Sequence, residues 1–471
     1  MQREKLKQMA FARARVPMRG TGAEVPVVET KALQWGWIEG APLSSDVIKA
    51  TRKGRTFVDI AKPFCIAKRD VWEAYKRVKA NRGAAGVDGE SIAAFEKDLA
   101  NNLYRIWNRM SSGSYFPPAV RRVDIPKDGG KTRPLGIPTV SDRIAQTVVQ
   151  RYLEPILEPV FHADSYGYRP GRSAHDALVV ARQRCWRHDW VLDLDIKSFF
   201  DEIDWELLMR AVRHHTDCAW VLLYIERWLH APVCMPDGTV VNREKGTPQG
   251  SVVSPILANL FLHYTFDMWM QRQFPALPFE RYADDAIIHC DSEKQARQLL
   301  DTLKERFAEC KLALHPQKTR IVYCKDANRH LHFPEQSFDF LGYTFRPRGA
   351  MNGSGNMFVS FIPAVSAKAT QSMRSVLRRW KLSHRGDLAL EAVVQWLQPI
   401  VRGWINYYGR FCPSALYRAL RVVDEFVIRW AQRKYKWLKK HSMRAWVWLK
   451  GLKSRQPNLL PHWQLVGTVG R

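Results

Sequence analysis

The chain has 471 residues, 46% hydrophobic and 25% charged, which is enough apolar content for packed cores in about three domains. Its 73 Lys+Arg against 46 Asp+Glu give a net charge of +27 and point to a polyanionic partner, while no apolar run reaches membrane-spanning length and no membrane partner is expected. Eight cysteines, at 65, 185, 218, 234, 290, 310, 324 and 412, form no CxxC pair, which argues against a zinc site or disulfide framework and for a reducing cytoplasm.

Residues 1–60 carry Pro, Gly and charge without sustained periodicity and read as a basic extension with little structure of its own. Its acid-poor start, Met1 to Arg19, has the composition of a transit peptide but is better read as a nucleic-acid-binding arm. From Lys68 the pattern turns helical. Ala80 to Gly89 is a glycine-rich loop, equally readable as a plain interhelical turn. Val120 to Ile125 alternates as a strand, and Pro126-Lys-Asp-Gly-Gly-Lys131 is a hairpin-turn signal leading into Arg133.

Trp190 to Asp195 alternates with period two, which puts Val191, Asp193 and Asp195 on one face and Leu192, Leu194 and Ile196 on the other. Asp195 falls at the strand end. Gly246-Thr-Pro-Gln-Gly250 before the apolar run Pro255 to Leu262 reads as a loop feeding a helix. Tyr282-Ala-Asp-Asp285 lies between two short apolar runs, as a tight hairpin tip would. An ordinary acidic turn is the competing reading for that tip alone. Together, one carboxylate at a strand end and two at a hairpin tip are the minimal ligand set for two Mg2+ ions about 4 Å apart, as in nucleotidyl transfer.

Beyond Ile362-Pro363 the periodicity is helical. Met373, Val376, Leu377 and Trp380 form one stripe with Arg374, Arg378, Arg379 and Lys381 off it. A second stripe runs from Leu390 to Trp404, with Pro399 expected to kink or split the helix, and a third from Leu416 to Trp430. From Ala364 to Arg471 there are 21 Lys+Arg and 4 Asp+Glu, so +17 of the charge lies in the last quarter.

The order of blocks resembles that of group II intron-encoded reverse transcriptases and maturases, from about Pro63 to Trp463. The blocks are Arg133-Pro-Leu-Gly-Ile-Pro-Thr-Val140, Ser165-Tyr-Gly-Tyr-Arg-Pro-Gly-Arg-Ser173, the Asp195 block, Gly246-Thr-Pro-Gln-Gly-Ser-Val-Val-Ser-Pro255, Tyr282-Ala-Asp-Asp285, Lys318-Thr319 and Phe340-Leu-Gly-Tyr343. Leu397-Gln-Pro-Ile-Val-Arg-Gly-Trp404, with Asn406-Tyr407-Tyr408, is similar to the maturase signature, although Gln398 replaces its usual Asn.

The resemblance implies roles. Asp195, Asp284 and Asp285 would be the catalytic metal ligands, and Lys318 the donor that protonates pyrophosphate. Lys127 and Arg133, with Lys131 an equal chemical candidate, would meet the triphosphate. Phe200, five residues after Asp195, would be the steric gate against a ribose 2′-OH, with core packing as the other reading. Gln249 would touch the nucleotide or template backbone; Ser251 stands where many relatives have Gly. Arg169 and Arg172 would hold template or structure the fingers. Leu341, Gly342 and Tyr343 would grip the primer. Arg374, Arg378, Arg379, Arg402, Trp404, Tyr407 and Tyr408 would contact RNA, with Trp437, Trp446 and Trp448 as further stacking surfaces, and core packing is the other reading for about half of Tyr407, Tyr408 and these three Trp.

The expected fold is α+β: a right-hand polymerase with fingers and palm, an antiparallel sheet plus helices, over 61–362, and an all-α thumb and maturase region over 363–471. The expected function is RNA-directed DNA synthesis using two Mg2+ ions, dNTPs, an RNA template and a DNA primer. Binding of group II intron RNA for splicing, and of target DNA for retrohoming, would accompany it in a bacterial cytoplasm, near the nucleoid. With eight residues after Trp463 and no cysteine pairs, no HNH endonuclease is expected. The alternatives are a host-recruited reverse transcriptase in repair or defence and a non-catalytic RNA-binding splicing factor.

Overall fold

The computed structural model describes residues 62–126, 132–381 and 385–468. The N-terminal extension, with its candidate arm, and Lys127 and Lys131 lie outside the described residues.

The first helices, α1 (Lys68–Asn81), α2 (Ile92–Glu96) and α3 (Leu99–Ser111), precede a hairpin of β1 (Val120–Pro126) and β2 (Thr132–Ile137). In its register Pro126 faces Thr132, and the expected turn at 127–131 lies outside the described residues. Helix α4 (Val140–Leu157) is capped by Thr139, whose hydroxyl accepts from the Asp142 amide, and α5 (Ala174–Cys185) by a reciprocal Ser173–Asp176 box. Next come β3 (Trp190–Asp195), α6 (Phe199–Glu202), α7 (Trp205–His215), α8 (Ala219–His230), β4 (Val233–Cys234) and β5 (Val240–Val241). The fingers sheet has order β2-β1-β4-β5; its β1–β4 pair is parallel, a departure from the all-antiparallel expectation.

A long helical run follows, α9 (Ser254–Leu262), a π-helical turn (His263–Asp267) and α10 (Met268–Gln273), and then β6 (Phe279–Tyr282), β7 (Asp285–Cys290), α11 (Glu293–Glu309) and β8 (Arg320–Tyr323). The palm sheet, order β6-β7-β3-β8, is antiparallel throughout. Strand β3 is interior, and both its faces are covered. Leu192, Leu194 and Ile196 join the core shared with α4 and α9, while Val191 lies in a second core with Ile287 and Val322. The acid-bearing face is therefore not open along its length; only its Asp193–Asp195 end escapes full burial.

Strands β9 (Phe338–Phe340), β10 (Tyr343–Met351) and β11 (Met357–Val365) form a separate antiparallel sheet. After it come α12 (Ala367–Arg379), α13 (Leu390–Tyr408), α14 (Pro413–Lys434) and α15 (Ser442–Arg455). Helix α13 runs through Pro399 as one helix, against the expected split. Val393, Val394 and Leu397 before the proline and Val401 after it are all buried, and this packing holds the helix across the missing N–H. The second core unites these helices with α5, β9–β11 and the Val191 face of the palm, so the thumb region has no core to itself.

Candidate active site

Strand register brings the acids together. Asp195, the last residue of β3, is the direct cross-strand partner of Asp285, the first of β7. Tyr282 pairs with Asp285, leaving Ala283 and Asp284 as a two-residue turn, with Ala283 in the left-handed region at φ +57°. Asp284 is buried and Asp285 half-buried. Hard carboxylate oxygens at one end of a sheet suit Mg2+. Among the described residues, however, no three His, Cys, Asp or Glu side chains converge as a ready-made cluster.

Asp195 instead faces a cation from its own chain. The His315 amide donates to Asp195 O at 2.7 Å and the Thr319 hydroxyl accepts from the Asp195 amide at 3.4 Å, which lays residues 313–319 along the end of β3. Lys318 Nζ is thereby 3.0 and 3.1 Å from the two carboxylate oxygens of Asp195. Asp193, two residues back on the same face, lies 3.6 Å from Arg320. Burial pushes its carboxyl up to about 7; Arg320 opposes this and the charges of Asp285 and Asp195 add to it.

The expected nucleotide-binding residues meet one another. Arg133 Nε donates to Gln249 Oε1 at 2.5 Å, and Gln249 Nε2 donates to Asp201 Oδ2 at 3.3 Å, so β2, the glycine loop and α6 are linked by one chain of side chains. Burial raises the Asp201 carboxyl, and the hydrogen bond from Gln249 counters it. Phe200 is 8% exposed, packs at 5.4 Å against Phe199, and accepts the Thr247 amide on its carbonyl at 2.7 Å. Its backbone thus fastens the loop whose Gln249 reaches Arg133. Sequence reasoning missed a second tie: Gln146 on α4 accepts the Val252 amide at 2.7 Å and donates to the buried Asp142 at 2.8 Å.

The turn Phe340-Leu-Gly-Tyr343 joins β9 to β10, with φ +51° at Leu341 and +83° at Gly342. Two positive φ values suit a type I′ hairpin and explain the glycine. Two expected RNA ligands need correction, and burial separates the two readings of Arg169. Tyr407 and Tyr408 are 6% and 1% exposed and are core residues rather than stacking surfaces. The Tyr407 hydroxyl donates to Leu341 O at 2.7 Å, and the Tyr407 carbonyl accepts from the Tyr343 hydroxyl and lies 2.8 Å from His175 Nε2, so the end of α13 is clamped onto the turn. Arg169 is also buried: its guanidinium takes Glu158 at 2.8 Å and the carbonyls of His162 and Ser165 at 2.6 and 2.7 Å. These bonds occupy it within the protein, in keeping with the reading in which it structures the fingers. Arg172, Arg374, Arg378, Arg379 and Arg402 are exposed, and Trp404 is half-buried against the second core. Trp437 and Trp446 are 55% and 39% exposed.

The family described as reverse transcriptase (RNA-dependent DNA polymerase) matches residues 125–345, and that of the group II intron maturase-specific domain matches 370–448. Protein YkfC of Escherichia coli (strain K12) is 30% identical over 364 residues, which cover 68% of this chain and 90% of YkfC. The group II intron-encoded protein LtrA of Lactococcus lactis subsp. cremoris is 29% identical over 57% of this chain, and the chain spans 46% of LtrA. A solved structure of Candida albicans telomerase with a fragment of telomeric RNA is 12% identical at a TM-score of 0.38, covering 73% of this chain and 64% of that one.

Proposed function

The chain belongs to the family of group II intron-encoded reverse transcriptases and maturases, RNA-directed DNA polymerases that assist splicing, and from that premise we propose that Asp195, Asp284 and Asp285 hold two Mg2+ ions for DNA synthesis on an RNA template. The observation that carries this is the register: Asp195 directly opposite Asp285, with Asp284 in the adjoining two-residue turn. Bound magnesium supplies charge neutralisation at the reacting phosphoryl oxygens. The chain's own residues do the rest. Lys318, already on Asp195, is placed to give a proton to the leaving pyrophosphate, releasing the carboxylate as it turns away. Arg133, with Lys127 or Lys131, neutralises the triphosphate of a dNTP, and Gln249 moves from Arg133 to the incoming nucleotide. Phe200 closes the floor of the pocket against a 2′-OH. Leu341, Gly342 and Tyr343 hold the primer end.

The helical region binds intron RNA for splicing and target DNA for retrohoming, with its phosphate contacts from exposed Arg374, Arg378, Arg379 and Arg402. Base stacking falls to the exposed Trp437 and Trp446. The decisive assay is primer extension on an RNA template with Asp284→Asn beside the wild type. Extension should fall by at least about 100-fold while RNA affinity holds, since only the reacting-centre charge is removed. A variant that extends at the wild-type rate removes Asp284 from the chemistry.

A further inference from the structure

The turn that carries Asp284 is held from behind by residues with no part in the chemistry just described. Arg281, on β6 two residues before Ala283, is 1% exposed, and its guanidinium is satisfied on three sides. Nε and Nη2 donate to Asp267 Oδ1 and Oδ2 at 2.7 and 2.6 Å. Nη1 donates to Asn259 Oδ1 at 3.0 Å and to the Ala283 carbonyl at 3.2 Å. The last bond reaches the residue whose left-handed backbone aims Asp284.

Asn259 extends the grip, donating from Nδ2 to the Gly167 carbonyl at 2.7 Å. Gly167 lies against the turn so closely that a Cβ on it would meet Ala283 N at 2.3 Å, and the neighbouring Tyr166 amide donates to Arg281 O at 2.8 Å. The Ser165-Tyr-Gly-Tyr168 block is therefore the other jaw of the clamp. The helix geometry contributes as well. Asn259 and Asp267 are eight residues apart and in a pure α-helix would point roughly 80° away from each other. The π-helical turn at His263–Asp267 rotates less per residue and takes back most of that offset, so both side chains meet one guanidinium.

A buried ion pair is a weak source of stability but a good source of fixed geometry. We propose that Arg281, Asp267, Asn259 and Gly167 are positioning residues that set the backbone of the Tyr282–Asp285 turn, and through it the approach of Asp284 and Asp285 to divalent metal. This rests on the assignment of those acids as ligands. Outer-shell partners of this kind change metal affinity by about 10–100-fold when removed.

The test is direct binding of Mn2+ to the full chain, followed by electron paramagnetic resonance without substrate, with melting temperature and RNA affinity measured alongside. The main variant is Arg281→Met with Asp267→Leu, which removes both charges and leaves none buried alone. Asn259→Ala, an uncharged change at the same clamp, serves should the pair fail to fold. Mn2+ affinity about tenfold or more below wild type, with melting and RNA affinity kept, is the expected result. Wild-type Mn2+ affinity in a folded variant overturns the clamp. Asp284→Asn separates the two readings: if it binds Mn2+ as the wild type does, the ligand assignment itself fails and the clamp with it; if it alone loses Mn2+, only the clamp is wrong.

Discussion

Phe200 shows how one residue carries two duties, one with its ring and one with its backbone. Its ring is nearly buried and packs on Phe199, which is core behaviour, yet its carbonyl anchors the Thr247 amide of the loop that leads to Gln249. Core packing and gating are rival readings in the sequence; 8% exposure establishes the packing, and the gate is the proposal to be tested. Truncation to Ala should cost roughly 3–5 kcal/mol of stability, because a packed ring leaves a cavity. For that reason activity alone is a poor test. The ratio of dGTP to rGTP incorporation opposite the same template base is measured within one preparation and is insensitive to how much of the protein is active. In Phe200→Ala that ratio should fall by roughly tenfold or more. An unchanged ratio places the gate on another residue.

At the scale of elements, the sequence names the parts and misses their partners. Period-two alternation locates β3, because it is a local consequence of backbone geometry. Periodicity reports which face of an element is apolar, not what covers it. Hence nothing local singles out Arg281 although it sits beside the acids: its counter-ion Asp267 is 14 residues away, across a π-helical turn with no sequence signature. Tyr407 and Tyr408 mislead for the same reason. Aromatic rings among basic residues suggest RNA stacking, but here they fasten α13 to the β9–β10 turn. Tyr407→Phe deletes the bond to Leu341 O and leaves a buried carbonyl unpaired, a loss of about 1–3 kcal/mol. The expected phenotype is a several-fold rise in the primer concentration needed for half-maximal extension, with intron RNA affinity unchanged. A drop in RNA affinity without any primer effect would return Tyr407 to the binding surface.

Across the whole molecule, catalysis and RNA binding draw on different resources. The acids proposed for catalysis depend on the register of the palm sheet, whereas the helical region presents Arg374, Arg378, Arg379 and Arg402 to solvent on elements whose apolar stripes are spent in the second core. From Ala364 onward 21 Lys+Arg face 4 Asp+Glu, so attraction to phosphate dominates there and should be steeply salt-dependent. Exposed arginines can be removed at little cost in stability, which makes the region separable by mutation from the fold that supports it. Replacing Arg374, Arg378 and Arg379 with Ala together should flatten the slope of log affinity against log salt by roughly 0.7–0.9 for each phosphate that these side chains neutralise. It should weaken binding to the intron and to an unrelated duplex about equally, because phosphate contacts carry no sequence information. Trp446→Ala should behave in the opposite way: the slope stays and affinity for RNA with unpaired bases falls, since stacking releases no counterions. Salt titrations of both variants on both nucleic acids measure the two effects independently. A triple-arginine variant whose slope matches the wild type would move the phosphate-binding face off α12.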